Sequence, residues 1–420
     1  MKLLTLVYSI GMGGTERAAV NYAIGYKQFG NDSRVLALGS GDERLPELVR
    51  NNVDTILMSK EKRSIEEVEK ELKIWEPDVI HVHNFSKELI PHIERIKGSH
   101  TIVVETNVFS RPNYEKEYAI VNLSMQLSNW GYWKYVKWMR NEKYSPEVAT
   151  IPYIVHAENF DIKVDRTNSD FRRKNNIPED AFLVGRVGQP HPSKWSVKLV
   201  DVIKNTITDE NRIYYVLVGP PKDLLAKINE LSDAQKKRVI CLDVIHGDHA
   251  LSDFYNSIDC FAHMANIGES FGYVLAEAML FSVPIVTLLT PLKDNAQFEM
   301  IGHYYGGICV TNKEEFSRAI LQLAKDGELH KKLKENLTNW IVDRFSPEVV
   351  IPKQLAVYQS ILAGQKLKKE NHDGLINDQF KLWGGRKFYY QFLLQVIQSP
   401  TFKKSISFLK GKLKNIVSKS

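Results

Sequence analysis

Two glutamates, Glu269 and Glu277, stand eight positions apart in the sequence. The residues between them pass from Ser-Phe-Gly into good helix formers, so we expect a helix that begins near Ser270 or Phe271. Glu269 would then lie in the preceding loop and Glu277 about two turns into the helix. The free N–H groups of a helix start attract anions such as a pyrophosphate. Carboxylates on either side of a pyrophosphate would hold hydroxyl groups, which a sugar nucleotide carries on its sugar and its ribose. The spacing alone fits an ordinary amphipathic helix with an acidic residue before it equally well.

Two basic residues accompany a second loop in the same half of the chain. Arg186 and Lys194 flank the segment that follows the apolar run Ala181–Val187, and Pro190 and Pro192 restrict its conformation. Fixed cations at the carboxyl end of a strand would neutralise a pyrophosphate and stabilise its departure. Taken alone, two basic residues in a loop are usually solvated.

The first half of the chain opens with an apolar run, Lys2–Tyr8, that is followed by the glycine loop GMGGTE. The loop lacks the GxGxxG order of a dinucleotide-binding fingerprint, and no acidic residue follows at the expected distance. Ligands of open α/β sheets bind at the carboxyl ends of strands, so Gly13 and Gly14 are expected to allow close backbone approach to a ligand. A tight structural turn is the alternative.

Polar residues also end two later apolar runs. We expect His81 and His83 to face opposite ways on the fourth strand, with His81 buried and hydrogen-bonded and His83 near the cleft. The fifth strand ends in Glu105-Thr106-Asn107, where Glu105 is a candidate base and Asn107 a candidate hydrogen-bonding partner of a sugar.

Residues 130–144 mix tryptophans with lysines and arginine. Trp130 and Trp133 are candidates for stacking on sugar rings, because aromatic faces suit this contact and neighbouring lysines suit phosphate or lipid headgroups. A helix that packs its tryptophans and solvates its lysines explains the same pattern and is slightly favoured.

Apolar runs alternate with amphipathic segments through both halves of the chain, which predicts βαβ units and doubly wound parallel sheets. The predicted strands are Lys2–Tyr8, Arg34–Leu38, Asp54–Met58, Asp78–His83, Thr101–Glu105, Ala181–Val187, Ile213–Val218, Val239–Leu242, Cys260–His263, Ile285–Leu288 and one near Gly307–Val310. The polar segment 156–180 separates the two halves.

Composition narrows the class of protein. The 420 residues are 43% hydrophobic and suffice for two domains. Residues 379–420 carry nine basic and no acidic side chains, and the rest of the chain has 47 basic against 50 acidic. This asymmetry excludes a generally basic nucleic-acid binder and assigns the positive charge to the tail.

Cysteine use and hydropathy bear on location. The three cysteines show no metal-binding spacing, which favours a reducing, cytoplasmic compartment. The apolar start is interpreted as a first strand because it has no small-x-small cleavage pattern. No apolar run reaches the length of a transmembrane helix.

Taken together, these features make residues 1–360 resemble the retaining glycosyltransferases of the GT-B fold, specifically the family-4-like group. The most specific element is GESFGYVLAEAM followed by Pro284-Ile285-Val286, which looks like the E-x7-E region of that group. Similar stretches are GGTE at Gly13–Glu16, PDVIHVHN, GRVGQPHPSK, DNAQFE at Asp294–Glu299, and Gly306-Gly307. The implied fold class is α/β, GT-B: two Rossmann-like doubly wound domains facing a cleft, here with a C-terminal helical basic extension.

The resemblance implies a role for each matching residue. Glu269 would hold hydroxyls of the donor sugar and Glu277 those of the ribose. Arg186 and Lys194 would bind the diphosphate, helped by the backbone of Ser270, Phe271 and Gly272. Gly13 and Gly14 would let the first-domain loop approach the donor phosphates and the acceptor. The resemblance implies neither a metal nor a cofactor, because the cations and the helix start replace the metal, and no DxD motif is placed to carry one.

One position departs from the family pattern. Many relatives have a histidine at the end of the fifth strand, and the matching residue here is Asn107. In retaining members the leaving phosphate itself is thought to take the acceptor proton, so loss of the histidine need not abolish activity. His83, Glu105, Trp130 and Trp133 are the candidates for the acceptor side of the cleft.

The domain boundaries follow from the same comparison. Residues 1–160 would form the acceptor domain, 161–345 the nucleotide-sugar donor domain and 346–365 a closing helix that crosses back to the first domain. Residues 366–420 are a basic amphipathic extension. Within it Phe402, Ile406, Leu409, Leu413 and Ile416 form one apolar stripe with lysines beside it. This pattern fits an interfacial helix on an anionic membrane and a helix docked on its own protein equally well.

The sequence therefore predicts a retaining, metal-independent glycosyltransferase. It would move a sugar from a nucleoside-diphosphate sugar to a hydroxyl of a glycan or glycolipid, as in surface polysaccharide or glycoconjugate assembly. Two alternatives stay open: a GT-B sugar-nucleotide 2-epimerase, which consumes no acceptor, and a non-catalytic sugar-nucleotide-binding partner subunit.

Overall fold

Two parallel β-sheets, each covered by helices on both faces, form the body of the protein. The computed structural model describes residues 1–110, 116–139, 142–163, 170–245, 247–337 and 339–398. Both sheets are entirely parallel, with the register continuous from strand to strand. This architecture confirms the predicted α/β class with two doubly wound units.

The first sheet has seven strands in the order β3-β2-β1-β4-β5-β6-β7. Their bounds are β1 Lys2–Val7, β2 Asp32–Ala37, β3 Asp54–Leu57, β4 Val79–His83, β5 Ile102–Asn107, β6 Leu123–Gln126 and β7 Glu147–Thr150. The prediction missed β6 and β7, because each is four residues long and half polar.

The second sheet has six strands in the order β10-β9-β8-β11-β12-β13. Their bounds are β8 Phe182–Val187, β9 Ile213–Val218, β10 Val239–Leu242, β11 Cys260–His263, β12 Ile285–Leu288 and β13 Gly307–Val310. All six were predicted to within one residue, since each is a short apolar run between polar turns.

The helices follow the strands in alternation. Those of the first unit are α1 Gly14–Gln28, α2 Leu45–Arg50, α3 Ile65–Trp75, α4 Ile90–Ile96 and α5 Asn129–Lys134, which runs into a π-helical turn at Tyr135–Met139. Those of the second are α6 Asp170–Lys174, α7 Leu199–Thr206, α8 Lys222–Ile228, α9 Asp233–Lys236, α10 Asp248–Ser257, α11 Tyr273–Leu280, α12 Gln297–Ile301, α13 Lys313–Lys325, α14 Gly327–Leu337 and α15 Val342–Phe345. The C-terminal helices are α16 Pro347–Leu362, α17 Asp373–Lys381 and α18 Lys387–Gln398.

Each sheet reverses its strand order once, between β1 and β4 in the first sheet and between β8 and β11 in the second. Loops diverge at such a switch point and leave a crevice at the carboxyl ends of the strands. The glycine loop follows β1 and His83 ends β4, whereas Arg186 lies on β8 and His263 ends β11. The glycine loop and His83 therefore lie at the first switch point, and Arg186 and His263 lie at the second.

The chain after the second sheet returns to the first. In α16, the Tyr358 hydroxyl lies 3.0 Å from the Tyr26 hydroxyl of α1, and Lys353 donates to the Thr150 carbonyl at the end of β7. Helix α17 packs on α5, and α18 lies against the π-helical turn. The predicted apolar stripe at residues 402–416 lies outside the described residues. None of the described helices is both long and apolar enough to cross a membrane.

Candidate functional site

Glu269 lies at the centre of a buried ionic cluster at the second switch point. Its side chain accepts hydrogen bonds from Lys194 Nζ at 3.1 Å and lies 3.3 Å from His263 Nε2. Burial by itself raises the pKa of Glu269, but Lys194 and His263 outweigh burial and lower this pKa to about 2. Glu269 is thus an ionised acceptor, positioned from two sides.

The sequence interpretation did not select His263, the last residue of β11. Burial, with help from Arg186, lowers the pKa of His263 to about 4, so the ring is neutral at pH 7. Because Glu269 accepts, Nε2–H is the donor, and Nδ1 accepts from the Thr287 hydroxyl 2.9 Å away. The available signal was its place at the carboxyl end of a predicted strand, six residues before Glu269.

Arg186 is a buried cation that uses only some of its hydrogen-bond donors within the described residues. Its guanidinium donates from Nη2 to the Lys194 carbonyl at 2.7 Å and packs on the rings of Trp195 and Phe261. Within the described part of the chain, Nε and Nη1 have no hydrogen-bond partner. Burial lowers the pKa of Arg186 to about 10, which leaves it charged at pH 7. An anion is the natural partner for such a group.

Two glycines fix the loop that carries Glu269. Gly268 has φ +75°, and a Cβ there would lie 1.9 Å from the Asp294 carbonyl oxygen. Gly272 has φ +93° and caps α11, which begins at Tyr273. The helix therefore starts later than predicted, and Glu277 lies about one turn in rather than two. Ser270 to Gly272 precede the helix as loop, and the Phe271 side chain is buried, so only its backbone is available to a ligand.

Glu277 faces the first domain. Arg17, on α1, donates from Nη1 to Glu277 Oε1 at 2.6 Å, and the Tyr255 hydroxyl donates to Oε2 at 2.6 Å. The other Arg17 nitrogen, Nη2, lies 2.9 Å from Asp248 Oδ2. Burial opposes the charge of Arg17, yet Glu277 and Asp248 raise its pKa overall. The sequence pattern gave no indication of Arg17, because its partners are more than 200 residues away.

The glycine loop lies on the same side of the cleft as Arg17. Gly13 is the N-cap of α1, and a Cβ at Gly14 would be 3.9 Å from the Tyr273 ring at the start of α11. The starts of the two helices α1 and α11 therefore lie close together, one from each domain, and the approach of the glycine loop to a donor stays a prediction.

The prediction that His81 and His83 face opposite ways was wrong. Their rings are 4.1 Å apart, because side chains two residues apart on a strand share a face. His81 is buried between the Tyr26 hydroxyl and the Thr106 hydroxyl, as expected. His83 is also buried, and among the described residues neither of its ring nitrogens has a hydrogen-bond partner. Burial lowers the pKa of His83 to about 3, so the ring is neutral.

A cavity of about 630 Å³ adjoins His83 at the first switch point. It extends from the glycine loop to the residues that follow β4, and its lining combines polar side chains with apolar ones such as Leu38, Met58 and Ile65. The lining includes Tyr8, Thr15, Glu16, Asn84, Glu88 and His92. Tyr8 is 73% exposed, and its ring lies against Gly39.

The end of β5 contributes one buried carboxylate and one buried amide. Glu105 accepts hydrogen bonds from the Ser124 hydroxyl at 2.6 Å and the Tyr118 hydroxyl at 3.1 Å. Asn107, the last residue of β5, is also buried. These contacts hold Glu105 within the sheet, and its role as a base stays a prediction.

Trp130 and Trp133 do not line the cleft as predicted. Both are buried, and both rings pack on Phe380 of α17. Their indole N–H groups donate to the Lys293 carbonyl and to Asp373. The alternative of a packed helix is the correct one, since the C-terminal extension covers the faces that a sugar would need.

The segment Asp294–Glu299 ties the second domain to α5. Glu299 accepts hydrogen bonds from the backbone N–H groups of Asn129 and Trp130, both at 3.0 Å. Asp294 forms a buried ion pair with Lys134 at 2.5 Å. Among the described residues, no group of three or more His, Cys, Asp or Glu side chains is arranged to hold a metal ion, and metal independence stays a prediction.

Two parallel α/β domains that bring their switch points to a shared cleft define the GT-B class of fold. Known structures of this class match the chain over most of its length. A structure of Alr3699/HepE from Anabaena in complex with UDP has a TM-score of 0.68 at 18% identity, and it covers 86% of this chain and 100% of that one. A glycosyltransferase from Rickettsia africae has a TM-score of 0.68 at 15% identity, with coverage of 86% and 98%.

Comparisons of sequence match a smaller part of the chain than comparisons of structure do. Residues 167–340, which include all six strands of the second sheet, match the family model of glycosyl transferases group 1. The O-antigen biosynthesis glycosyltransferase WclY of Escherichia coli is 24% identical over 197 residues, which is 46% of this chain and 50% of that protein. The chain thus spans about half the length of the curated relatives it matches.

Proposed function

We propose that the protein is a retaining, metal-independent glycosyltransferase that acts in surface polysaccharide assembly. It transfers a sugar from a nucleoside-diphosphate sugar to a hydroxyl of a glycan or lipid-linked glycan. The observation that carries the proposal is the cluster of Arg186, Lys194 and Glu269, in which two guanidinium nitrogens, Nε and Nη1, lack a partner within the described residues. The O-antigen function of the E. coli relative and the UDP bound by the Anabaena neighbour support the substrate classes.

In this proposal Arg186 and Lys194 neutralise the diphosphate as it leaves. Lys194 Nζ is half-exposed and pairs with Glu269 at 3.1 Å, so it can hold a phosphate oxygen without leaving the cluster. The bond from the sugar C1 to the phosphate oxygen breaks, and a bond from C1 to the acceptor oxygen forms on the same face. The phosphate takes the acceptor proton, which needs no protein base. Fixed cations around a leaving group are among the largest contributions to catalysis.

Glu269 holds hydroxyls of the donor sugar in the same scheme. Its carboxylate is ionised and fixed by His263 and Lys194, which restricts it to accepting hydrogen bonds from sugar hydroxyls. Glu277 binds the ribose, for which Arg17 has to release Oε1. The cavity beside His83 receives the acceptor, where the neutral, unpartnered ring accepts or donates one hydrogen bond to a hydroxyl.

The test compares Glu269→Gln with Glu348→Gln, an exposed control at the start of α16. The variants are incubated with UDP-sugars and lipid-linked glycan, and UDP release and glycan product are measured. Removing one fixed group from such a site typically lowers turnover about 10²–10³-fold, so we expect that loss for Glu269→Gln alone, with UDP binding retained. Wild-type turnover in Glu269→Gln would overturn the assignment. Conversion of the donor to an epimer without acceptor would establish the 2-epimerase instead.

A further inference from the structure

Three buried amide side chains lie behind the loop that carries Glu269. Asn295 lies in the loop before α12, Gln297 begins α12, and Gln379 lies on α17. All three side chains are fully buried. Burying an amide costs free energy unless its donors and acceptors are paired, so the partners of these side chains show which parts of the protein they hold together.

Gln297 holds the backbone of Glu269. Its Oε1 accepts from the Glu269 N–H at 3.3 Å, and its Nε2 donates to the Leu288 carbonyl at 3.2 Å and the Thr290 hydroxyl at 3.0 Å. The Ala296 N–H donates to the Glu269 carbonyl at 2.9 Å. The backbone N–H and C=O of Glu269 are therefore both tied to the segment between the end of β12 and the start of α12.

Asn295 connects this segment to the C-terminal helix α17. Its Oδ1 accepts from the Thr290 N–H at 2.7 Å, and its Nδ2 donates to Gln379 Oε1 at 2.8 Å. Because a backbone N–H only donates, Thr290 fixes the orientation of the Asn295 amide, and Gln379 has to present its oxygen. The Thr290 hydroxyl in turn accepts from Gln297. A continuous series of hydrogen bonds thus runs from α17 to the backbone of Glu269.

Helix α17 is itself fixed on the first domain. Phe380 packs on the rings of Trp130 and Trp133, and Asp373 accepts from the indole N–H of Trp133 at 3.2 Å. α17 also lies outside residues 167–340, the part of the chain that matches the family model. The loop before α11 is therefore supported by a helix that is seated on the other domain and lies beyond the matched residues.

We propose that Gln379 is a positioning residue for Glu269. The inference rests on the proposed function, in which Glu269 holds hydroxyls of the donor sugar. Gln379 acts through Asn295, Thr290 and Gln297. Without its oxygen, the buried Asn295 Nδ2 loses its partner, and the amide has to move to find another one. A misplacement of about 1 Å at a reacting group can lower turnover about 10²-fold, even when the substitution is remote.

The experiment compares Gln379→Met with Gln379→Glu in the full chain. Methionine has a similar volume but removes the acceptor, whereas glutamate keeps an oxygen opposite Asn295. Gln379 Nε2 has no hydrogen-bond partner among the described residues, so its replacement by oxygen removes no hydrogen bond. Turnover is measured with UDP-sugars and lipid-linked glycan. We expect Gln379→Met to lower kcat at least about tenfold and Gln379→Glu to restore most of this loss.

Thr206→Val is the matched control for lost stability. The Thr206 hydroxyl is fully buried on α7 and lies 2.7 Å from the Tyr215 hydroxyl. A helix between two parallel strands returns the chain to their amino ends, so Thr206 lies at the end of the second domain away from the cleft. This variant should melt at a lower temperature than the wild type and keep the wild-type kcat.

The position of Glu269 has a readout that does not depend on activity. His263 Nε2–H lies between the ring and Glu269, at 3.3 Å from nitrogen to oxygen. Its NMR signal is observed in protein labelled with ¹⁵N-histidine and is assigned by its loss in His263→Gln. We expect the signal to shift in Gln379→Met and to return to its wild-type position in Gln379→Glu.

The possible results separate this inference from the proposed function. Wild-type kcat in Gln379→Met, with an unshifted His263 signal, would overturn the inference and leave the proposed function in place. Equal losses of kcat in Gln379→Met and Gln379→Glu, in proportion to their melting temperatures, would assign Gln379 a structural role only. A wild-type protein that transfers no sugar, with a His263 signal that still shifts in Gln379→Met, would overturn the proposed function and support the coupling of Gln379 to Glu269.

Discussion

Arg17 occupies a carboxylate that the proposed donor needs, so its replacement should strengthen nucleotide binding. Its guanidinium donates to Glu277 Oε1 at 2.6 Å, and in the proposed function the ribose hydroxyls bind this same group. A hydrogen bond to a charged group contributes about 1.5–3 kcal/mol, and about 1.4 kcal/mol corresponds to tenfold in affinity. Replacing Arg17 by methionine keeps an apolar chain over the Tyr273 ring but removes this competitor. We therefore expect Arg17→Met to lower the Kd for UDP at least about tenfold in isothermal titration calorimetry.

Asp248→Asn is the matched comparison for this measurement. Asp248 accepts from Arg17 Nη2 at 2.9 Å, so the change removes the negative charge of this second partner while Arg17 stays on Glu277. UDP affinity in Asp248→Asn should be unchanged or lower. Weaker UDP binding by Arg17→Met would refute the reasoning and indicate that Arg17 itself binds the nucleotide. Circular dichroism and thermal melting check the fold, because Arg17→Met leaves Glu277 buried with only the Tyr255 hydroxyl, at a cost of about 3 kcal/mol.

Two further predictions concern the second domain. The folded pKa of His263 is about 4 against an ordinary 6.5, so its contribution to stability is present above pH 6.5 and is lost as the pH falls toward 4. By pH 5 this loss is about 2 kcal/mol. The urea midpoint of His263→Gln should therefore fall less between pH 7 and pH 5 than the urea midpoint of the wild type. An equal fall in both proteins would contradict a neutral His263 in the folded state. Gly268→Ala should displace the loop, because its Cβ would lie 1.9 Å from the Asp294 carbonyl oxygen, and should cost about 3 kcal/mol or more with loss of transfer activity. The control is Gly364→Ala, where φ is +69° and no atom lies within 4 Å of the added Cβ. This variant should lose only about 1 kcal/mol of stability. Equal melting temperatures for both variants would show that the close approach at Gly268 does not affect stability.

Burial on both faces explains which strands were predictable. A central strand such as β9, Ile213–Val218, is an apolar run that is recognisable without its neighbours. Strand β6, Leu123–Gln126, is fully buried as well, yet two of its four residues are polar. The Ser124 hydroxyl donates to Glu105, so the polar groups of this edge satisfy each other across strands. Pairing of that kind depends on the register between strands, and the hydropathy pattern along the chain gives no information about this register.

The same distinction applies to the candidate site. Strand ends and turns recognisable in the sequence carry three of the site residues, Glu269, Arg186 and Lys194. The structure brings these three side chains into one cluster. Arg17, the cationic partner of Glu277, is 260 residues away on another domain, so no local pattern indicates it. The prediction for Trp133 was wrong because α17 packs on its ring, and the hydropathy pattern does not show where α17 packs.

The contacts of the segment Asp294–Glu299 have a mechanical consequence. At the β6–β7 edge, the Glu299 carboxylate caps α5, and the Lys134–Asp294 ion pair is buried beneath α17. Near the middle of the first sheet, Arg17 joins the two domains through Glu277 and Asp248, and the Tyr273 hydroxyl donates to the Ile154 carbonyl. In the proposed function a nucleotide that binds Glu277 displaces Arg17, so it removes one of the side chains that hold the domains together while the contacts at the edge stay in place.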